Sequence, residues 1–181
     1  MKVTFDKARL LSAITPAAGI TQAKNTLTTI EGLLFECPPD KSMGEFEGEA
    51  DNMCRISAFD LEKGLRTSLE CKIYREGKYI INASKILQIV RALPDGDIDI
   101  EIDDKLRAVV SGGNSSFEIA VFPGEDFPSM PMFIGEKKYT FPQYIMRNMI
   151  IETMFAAAQN DQRPALNGEL MKIANGKLTL V

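Results

Sequence analysis

The sequence predicts an α+β fold built from repeated β-α-β-β-β halves, because two internal repeats coincide with alternating strand and helix patterns. Phe5 and Phe141 lie 136 residues apart, and so do Gly32 and Gly168, with no gap between the two pairs. A second offset of 76 residues places the segment that starts at Phe5 on the segment that starts at Ile81. Both offsets match strand with strand and helix with helix. We therefore expect one complete domain of two similar halves, followed by the first part of a second domain.

The first half begins with a short strand at residues 3–5, and Asp6 follows it as the N-cap of a helix. Apolar residues recur at helical spacing from Leu10 onward, and Gly19 is expected to end the helix. An acidic stretch at residues 41–52 is typical of a hairpin tip. Runs of β-branched and apolar residues predict strands at Leu27–Cys37, Met53–Phe59 and Leu65–Ile73.

The second half repeats this order, with a strand at Lys78–Ile81 and a helix that Asn82 caps. Isoleucines at every second position of residues 98–102 alternate with carboxylates, which indicates a strand with one solvated face rather than a calcium loop. The glycine-rich stretch 111–116 lacks the ending of a phosphate-binding loop and predicts a hairpin turn. The helix carries the stripe Ile86, Leu87, Ile89, Val90 and Leu93, and two further strands are expected at Leu106–Ser111 and Ser116–Phe122.

We assign residues 1–128 to a complete domain, 129–136 to a linker and 137–181 to the truncated beginning of a second domain. Because the second copy stops early, we expect a fragment that leaves strand edges and apolar surface uncovered. Such surfaces favour association of two chains through their half-domains. Its expected elements are a strand at Lys138–Phe141, a helix from Pro142 towards Ala158, and strands at Ala165–Ile173 and Lys177–Val181 around an Asn175–Gly176 turn.

The composition excludes several classes of function. The chain of 181 residues contains no histidine, so it has no Ser-His-Asp or Cys-His couple, and any metal site would depend on carboxylates. The three cysteines, Cys37, Cys54 and Cys71, are widely spaced and odd in number, which favours free, buried thiols in a reducing compartment. The chain shows neither a signal peptide nor a membrane span. We expect a cytoplasmic protein without a cofactor, a metal ion or a membrane partner.

No set of residues in the sequence predicts catalysis. Asp60 and Glu62 have no base, metal partner or phosphate cradle beside them, so an edge or turn role is favoured. Basic residues recur around the helices, and the simplest interpretation is that they face water. The alternative is a helix-lined surface that meets a phosphate backbone without reading bases, although the net charge of -4 is no signature of nucleic-acid binding. These residues are Lys7, Arg9, Lys24, Lys85, Arg91, Arg147 and Arg163.

The chain contains six short motifs, in the order Met1–Phe5, Ile30–Leu34, Phe59–Glu62, Leu93–Gly96, Phe122–Pro128 and Arg163–Gly168. Their order and spacing closely resemble the bacterial DNA polymerase III beta subunit, the family of replicative sliding clamps. The resemblance covers essentially the whole chain. It implies a DNA-clamp fold with helices on one face of antiparallel sheets, and a ring of two chains with three repeated domains each.

The resemblance also implies roles for individual residues. Lys24 occupies the place of a basic residue that faces DNA in the family, and Asn160 falls near a polar DNA contact. Pro164 and Ala165 replace the paired tyrosines of some members, so no aromatic DNA contact is expected there. The expected DNA-binding set consists of Lys24, Asn160, Arg91, Arg147 and Arg163. The expected face towards the neighbouring chain consists of Lys85, Ile86, Ile89, Phe117 and Ile119, for which core packing is the alternative.

The expected partners are duplex DNA, contacted without sequence preference, the replicative DNA polymerase and the clamp loader. Of the groove that binds the peptide motifs of these proteins, only Leu166 is found in this chain. We therefore expect the chain neither to close a normal ring nor to bind such peptides well. The expected function is that of a non-catalytic DNA sliding clamp, the processivity factor of the replicative polymerase. The alternative is a non-catalytic protein-interaction module of α+β repeats.

Overall fold

The computed structural model describes residues 1–21, 31–38, 52–130, 139–159 and 161–181. The chain divides into two compact units, Met1–Pro131 and Met132–Val181. The described residues of the first unit form nine strands and two α-helices. The elements are β1 Lys2–Asp6, α1 Lys7–Ala18, β2 Gly32–Cys37, β3 Met53–Phe59, β4 Gly64–Glu70, β5 Lys72–Arg75, β6 Gly77–Asn82, α2 Ala83–Ala92, β7 Asp97–Ile102, β8 Arg107–Gly112 and β9 Ser115–Pro123.

Both helices of the first unit begin where the sequence predicts. Asp6 Oδ1 accepts a hydrogen bond from the Arg9 backbone N–H at 2.9 Å, and Asn82 Oδ1 accepts one from the Lys85 N–H at 3.0 Å. The α1 helix ends at Ala18 with Gly19 as its C-cap, as expected. Each helix buries one apolar stripe in the core, whose helical members are Leu10, Ala13, Ile14, Ala17, Ala83, Ile86 and Val90.

The nine strands form one sheet in the order β4-β3-β2-β6-β9-β8-β7-β1-β5, and every pairing is antiparallel. The two edge strands, β4 and β5, are separated in the chain by Cys71 alone. The sheet must therefore curl until its edges come close. The sequence predicted one strand at Leu65–Ile73, and this prediction was wrong, because β4 and β5 belong to opposite edges of the sheet.

The two halves of the first unit exchange their opening strands. The first strand of the first half, β1, pairs with β7 of the second half, and the first strand of the second half, β6, pairs with β2 of the first. Helices α1 and α2 contact each other over the same core. The T-shaped ring pair of Phe5 and Phe35, with centroids 6.4 Å apart, packs β1 against β2 across that core. Each half therefore completes the other.

The alternation predicted for β7 is confirmed. Ile98, Ile100 and Ile102 are buried, and the carboxylates that alternate with them, from Asp97 to Glu101, face solvent. Two of these carboxylates form exposed salt bridges, Glu101 with Lys2 at 3.1 Å and Asp97 with Lys72 at 3.6 Å. This accounts for the acidic stretch as a solvated strand face.

The expectation of three free cysteines was wrong for two of them. Cys37 and Cys54 form a disulfide, with their Cα atoms 4.4 Å apart. The register of β2 and β3 pairs Glu36 with Arg55, which places these cysteines opposite each other one step along the ladder. Spacing along the chain could not show this, because the contact follows from strand pairing. Cys71 is free and buried, and burial raises the pKa of its thiol to about 11.

The second unit is described by one α-helix, two short strands and two 3-10 segments, namely α3 Gln143–Thr153, β10 Met171–Ala174, β11 Lys177–Leu180, Met154–Ala156 and Pro164–Leu166. Asn175 and Gly176 both have positive φ, 52° and 70°, and form the predicted hairpin turn. The strand predicted at Lys138–Phe141 is absent from its described part, residues 139–141. No strand of the described second unit lies beside it to form a ladder.

Two features are absent from the described residues. No helix there combines the length and the apolar character needed to cross a bilayer. The described part of the chain also contains no cluster of three or more carboxylate or cysteine side chains placed to hold a metal ion.

The carboxylate of Asp60 organises the turn between β3 and β4, as the sequence suggested. Its Oδ1 accepts hydrogen bonds from the backbone N–H groups of Glu62 at 3.0 Å and Lys63 at 2.6 Å. The Asp60 side chain is only 2% exposed. The hydrogen bond from the Lys63 backbone is the main reason that the pKa of Asp60 lies below its ordinary value, since burial acts in the opposite direction.

We expect Asp60→Asn to lower the free energy of unfolding at neutral pH by about 1–2 kcal/mol, because a neutral amide oxygen accepts these hydrogen bonds more weakly. Folding lowers the pKa of Asp60, so its stabilisation is complete above the ordinary value of 3.8 and is lost as the pH falls through the folded-state pKa. Denaturant unfolding at about pH 7 and about pH 3 should show the difference between the two proteins shrinking on acidification.

Glu62→Gln is the matched control, because it removes an exposed carboxylate from the same turn. We expect it to change the free energy of unfolding little at either pH. A destabilisation by Asp60→Asn that stayed the same at both pH values would contradict the role assigned to the charge.

Candidate nucleic-acid and subunit interfaces

The α2 helix presents two different flanks on either side of its buried stripe. Lys85 is exposed and Ile89 is half-buried, and their spacing of four residues puts them on one flank. Arg91 is exposed on the opposite flank, since each residue turns the helix by about 100°. One helix can therefore offer a cation to one neighbour and a mixed polar and apolar strip to another.

The residues predicted to face a neighbouring chain divide by burial. Phe117 is 40% exposed, whereas Ile86 is 0% and Ile119 is 9% exposed. Ile86 and Ile119 belong to the hydrophobic core and present almost no surface to another chain, so core packing accounts for both. The surface available for a subunit contact is thereby reduced to Lys85, Ile89 and Phe117.

The β9 strand supplies a second feature of that surface. Along residues 115–120 it pairs with β8, but β6 pairs only with the end of β9, from Val121 to Pro123. The remaining edge at residues 115–120 has no partner strand among the described residues. An edge of this kind can accept a strand from another chain.

Two of the basic residues on α1 are engaged within the fold. Lys7 Nζ donates to the carbonyl oxygen of Leu93 at 2.6 Å and lies 3.0 Å from Asp95 Oδ1. Arg9 forms a salt bridge with Glu70. These contacts tie α1 to the end of α2 and to β4, so Lys7 and Arg9 serve the fold first and add little free positive charge.

Arg91 and Arg147 are different, because they are exposed and form no salt bridge with any residue that the structure describes. Arg91 lies in the last turn of α2, where a positive charge also interacts favourably with the helix dipole. Arg147 lies near the middle of α3. Lys24 and Asn160, the remaining predicted DNA contacts apart from Arg163, lie outside the described residues.

Arg163 is exposed but paired. Its Nε and Nη2 lie 3.1 Å and 3.3 Å from the two carboxylate oxygens of Asp161. This contact is the main reason that the pKa of Asp161 lies below its ordinary value. A phosphate group would have to compete with Asp161 for the guanidinium, which weakens any contact that Arg163 makes with DNA.

Asn167 holds the same loop through its side-chain amide, a role that the sequence analysis did not assign. Its Oδ1 accepts from the Asp161 N–H at 2.8 Å, and its Nδ2 donates to the Asp161 carbonyl oxygen at 2.9 Å. The Arg163 N–H donates to Asp161 Oδ1 at 2.8 Å. Asp161 and Asn167 are six residues apart, beyond the span of the common local turns that side chains close, so no local pattern in the sequence indicates this contact.

Leu166, the predicted residue of the peptide groove, ends the 3-10 segment Pro164–Leu166 and is 42% exposed. Its carbonyl oxygen accepts a hydrogen bond from the Ala158 N–H at 2.8 Å, which fixes the segment against the end of the helical region. The side chain is therefore available at the surface on a fixed backbone.

We expect Asn167→Ala to speed hydrogen exchange at the Asp161 backbone amide about fivefold, because the substitution removes a hydrogen bond worth about 1 kcal/mol. NMR exchange measurements on the 181-residue chain check this. Asn148→Ala, at an exposed position of α3, is the control and should leave that amide unchanged. Equal exchange in Asn167→Ala and the unmodified chain would show that the amide does not hold the loop.

Comparison with known proteins agrees with this architecture. Residues 1–131 match the family model described as the DNA polymerase III beta subunit, N-terminal domain. The beta sliding clamps of Streptomyces coelicolor and Escherichia coli K12 are each 28% identical to the chain, over 180 and 184 residues, covering 99% and 100% of it. A crystal structure of a sliding clamp from Pseudomonas aeruginosa bound to griselimycin superposes with a TM-score of 0.83 at 28% identity over 98% of this chain.

A crystal structure of a DNA polymerase III beta subunit from Eubacterium rectale gives the same TM-score, 0.83, at 27% identity over 99% of this chain. The chain spans less than half of the length of these relatives, from 44% to 46%. The family match nevertheless covers the whole first unit. The chain belongs to the DNA polymerase III beta subunit family, the bacterial sliding clamps.

Proposed function

We propose that this chain supplies the first domain and the beginning of the second domain of a DNA sliding clamp, a non-catalytic processivity factor that encircles duplex DNA and tethers the replicative polymerase. The match of residues 1–131 to the N-terminal domain of the family carries this proposal. In it, residues 129–136 link the complete domain 1–128 to the partial domain 137–181. The working compartment is the cytoplasm, where the DNA and the polymerase are found.

The proposed mechanism is topological. A closed ring stays on DNA without binding it tightly, so its inner surface needs only weak contacts with phosphates that are the same at every position along the duplex. Arg91 and Arg147 fit this role because each is exposed and forms no salt bridge within the described structure. Arg163, restrained by Asp161, would contribute less, and Lys24 and Asn160 complete the proposed set.

The proposed contact with the neighbouring chain of the ring uses Lys85, Ile89 and Phe117 together with the open edge of β9. An apolar side chain beside an unpaired strand edge can bury area and extend a sheet across the contact. Ile86 and Ile119 support this surface from the core. The peptide groove for the polymerase and the clamp loader would include Leu166.

We expect the 181-residue chain to bind a short duplex weakly and without sequence preference, and to lose affinity as the salt concentration rises. Arg91→Gln should weaken binding about threefold at low salt and reduce the slope of log K against log salt concentration by about 0.9, since one phosphate contact is lost. Fluorescence anisotropy with two unrelated duplexes checks both effects.

Arg107→Gln is the matched control for charge. Arg107 lies on β8 with its side chain on the face opposite the buried Ala108 and pairs with Asp103 at 2.9 Å and Glu118 at 3.2 Å. It should leave binding within error of the unmodified chain. Equal losses in both variants would indicate that only net charge matters, and undetectable binding at low salt would favour the protein-interaction module over the clamp.

A further inference from the structure

Cys37 and Cys54 lie opposite each other on neighbouring strands, and the sheet holds them there without help from their sulfur atoms. The register of β2 and β3 brings them face to face, with their Cα atoms 4.4 Å apart. On the other side of each strand, Cys37 pairs with Gly77 of β6 and Cys54 pairs with Leu69 of β4. Because both strands have a partner on each side, the two cysteines stay neighbours whether or not their sulfur atoms are joined.

The first unit does not need this bond in order to fold. Disulfides are required mainly in small domains that cannot build a sufficient hydrophobic core. The described part of the first unit has such a core, and Cys37 and Cys54 are buried in it, at 1% and 0% exposed. A reduced cysteine packs in a core as a small apolar residue, so the dithiol form keeps the same neighbours. Two redox forms of one fold are therefore available.

The pair lies at one end of its ladder, next to the segment that connects β2 to β3. Cys37 is the last residue of β2, and Cys54 is the second residue of β3. Local opening is most frequent where secondary structure ends. A small reagent can therefore reach the Cys37 sulfur atom during such an opening, although the closed ladder buries it.

We propose that Cys37 and Cys54 form a reversible redox site, which is a dithiol in a reducing cytoplasm and the disulfide of this structure under oxidising conditions. The proposal rests on the cytoplasmic function proposed above, because that compartment keeps thiols reduced and its disulfides are usually transient or redox-sensing. Oxidation joins β2 to β3 and stabilises the first unit. The proposed contacts Arg91 and Phe117 lie on α2 and β9, so both redox forms present them.

The oxidant is a small disulfide such as glutathione disulfide, and the reaction consists of two thiol–disulfide exchanges. The Cys37 thiolate attacks one sulfur atom of glutathione disulfide, forms a mixed disulfide and releases one glutathione thiolate. The Cys54 thiolate then attacks the Cys37 sulfur atom and releases the second glutathione thiolate. Two electrons pass from the protein to glutathione, and the released thiolates take up the two protons that the cysteines lose. Excess reduced glutathione drives the reverse exchanges.

Cys71 stays outside this exchange and serves as an internal reference. Met53 pairs with Glu70, and the Cys71 N–H donates to the carbonyl oxygen of Asn52 at 2.8 Å. Cys71 is therefore a diagonal neighbour of Cys54, and such neighbours have Cα atoms about 7–8 Å apart, beyond the usual range of a disulfide. Burial also raises the pKa of the Cys71 thiol to about 11, so little of its reactive thiolate is present at neutral pH.

A count of free thiols tests the proposal on the unmodified 181-residue chain. The chain is equilibrated with glutathione mixtures from fully reduced to fully oxidised, quenched with acid, unfolded in maleimide-polyethylene glycol and separated on a gel. We expect three labels per chain at the reduced end, one at the oxidised end, and three again when reduced glutathione is restored. Three labels in every mixture would overturn the proposal, and so would one label in every mixture, which would indicate a permanent disulfide.

Two variants identify the cysteines that react, with intact mass as the measurement. Cys71→Ala is the matched control and should form and lose the disulfide in the same mixtures as the unmodified chain. Cys54→Ala should form no disulfide between its two remaining cysteines, since Cys37 then has no partner. A disulfide within Cys54→Ala, or none in Cys71→Ala, would show that another pair reacts and would overturn the assignment.

Thermal unfolding measures the effect of the switch on stability. We expect the disulfide form to unfold at a Tm about 5–10 °C above that of the dithiol form, because the bond closes a loop between residues 17 positions apart. Far-ultraviolet circular dichroism of the two forms should coincide, since the ladders remain. Cys71→Ala should keep the Tm difference. Equal Tm values, or a dithiol form that is unfolded at room temperature, would overturn the proposal.

The redox measurements do not involve DNA, so they separate this proposal from the proposed function. A chain that binds duplex DNA but shows no redox transition would contradict only the redox site. A chain that shows the transition but does not bind DNA would contradict only the clamp function.

Discussion

The exchange of opening strands between the two halves of the first unit is the constraint on which the structure depends. A half cannot complete itself, because its first strand pairs with the other half and its second strand keeps one edge for the strand that comes in return. The core forms only when both halves are present, since it draws on strands and helices of each. The domain is therefore the smallest closed unit of this fold, although the repeat in the sequence is half as long.

The packing of both halves on one core also explains which basic residues of the helices remain unpaired. Helices of both halves lie over one core, and several of their basic residues are used to hold elements together. Lys7 ties α1 to the residues after α2, and Arg9 ties α1 to β4. What is left on the helices is a small number of separated cations on an acidic chain. In the clamp proposed above, such sparse cations would supply weak phosphate contacts of the kind that let a protein slide along DNA.

Local chemistry made much of the fold predictable. The caps at Asp6 and Asn82, the alternation in β7 and the Asn175–Gly176 turn each depend on residues that are neighbours in sequence, and all four predictions were confirmed. The failures depend on contacts between distant residues. The division of the predicted strand at Cys71 and the Cys37–Cys54 disulfide are consequences of sheet order and register, and neither leaves a local signal.

In the candidate interfaces, local sequence likewise fails to predict whether a single side chain is buried or exposed. Ile86 and Ile89 share one apolar stripe, yet one is fully buried and the other is half-buried. The pattern identifies the stripe but not the line at which the core ends and the surface begins, because the neighbouring strands set that line. Asn167 was missed for a different reason, since its role appears only when the loop brings its amide to the backbone of Asp161.

Equivalent positions of the two units differ in burial even where the residue is the same. Ile14 and Ile150 have the same residue type, the same place on a helix and the same helical spacing of apolar neighbours, but only Ile14 is buried. The hydrophobic free energy that favours burial is a property of the side chain, about 25 cal/mol for each Å² of apolar surface removed from water. Whether it is gained depends on the presence of the complementary half. A periodic apolar pattern in this family therefore indicates a face that must be covered, and the identity of the chain that covers it is decided by what else is present.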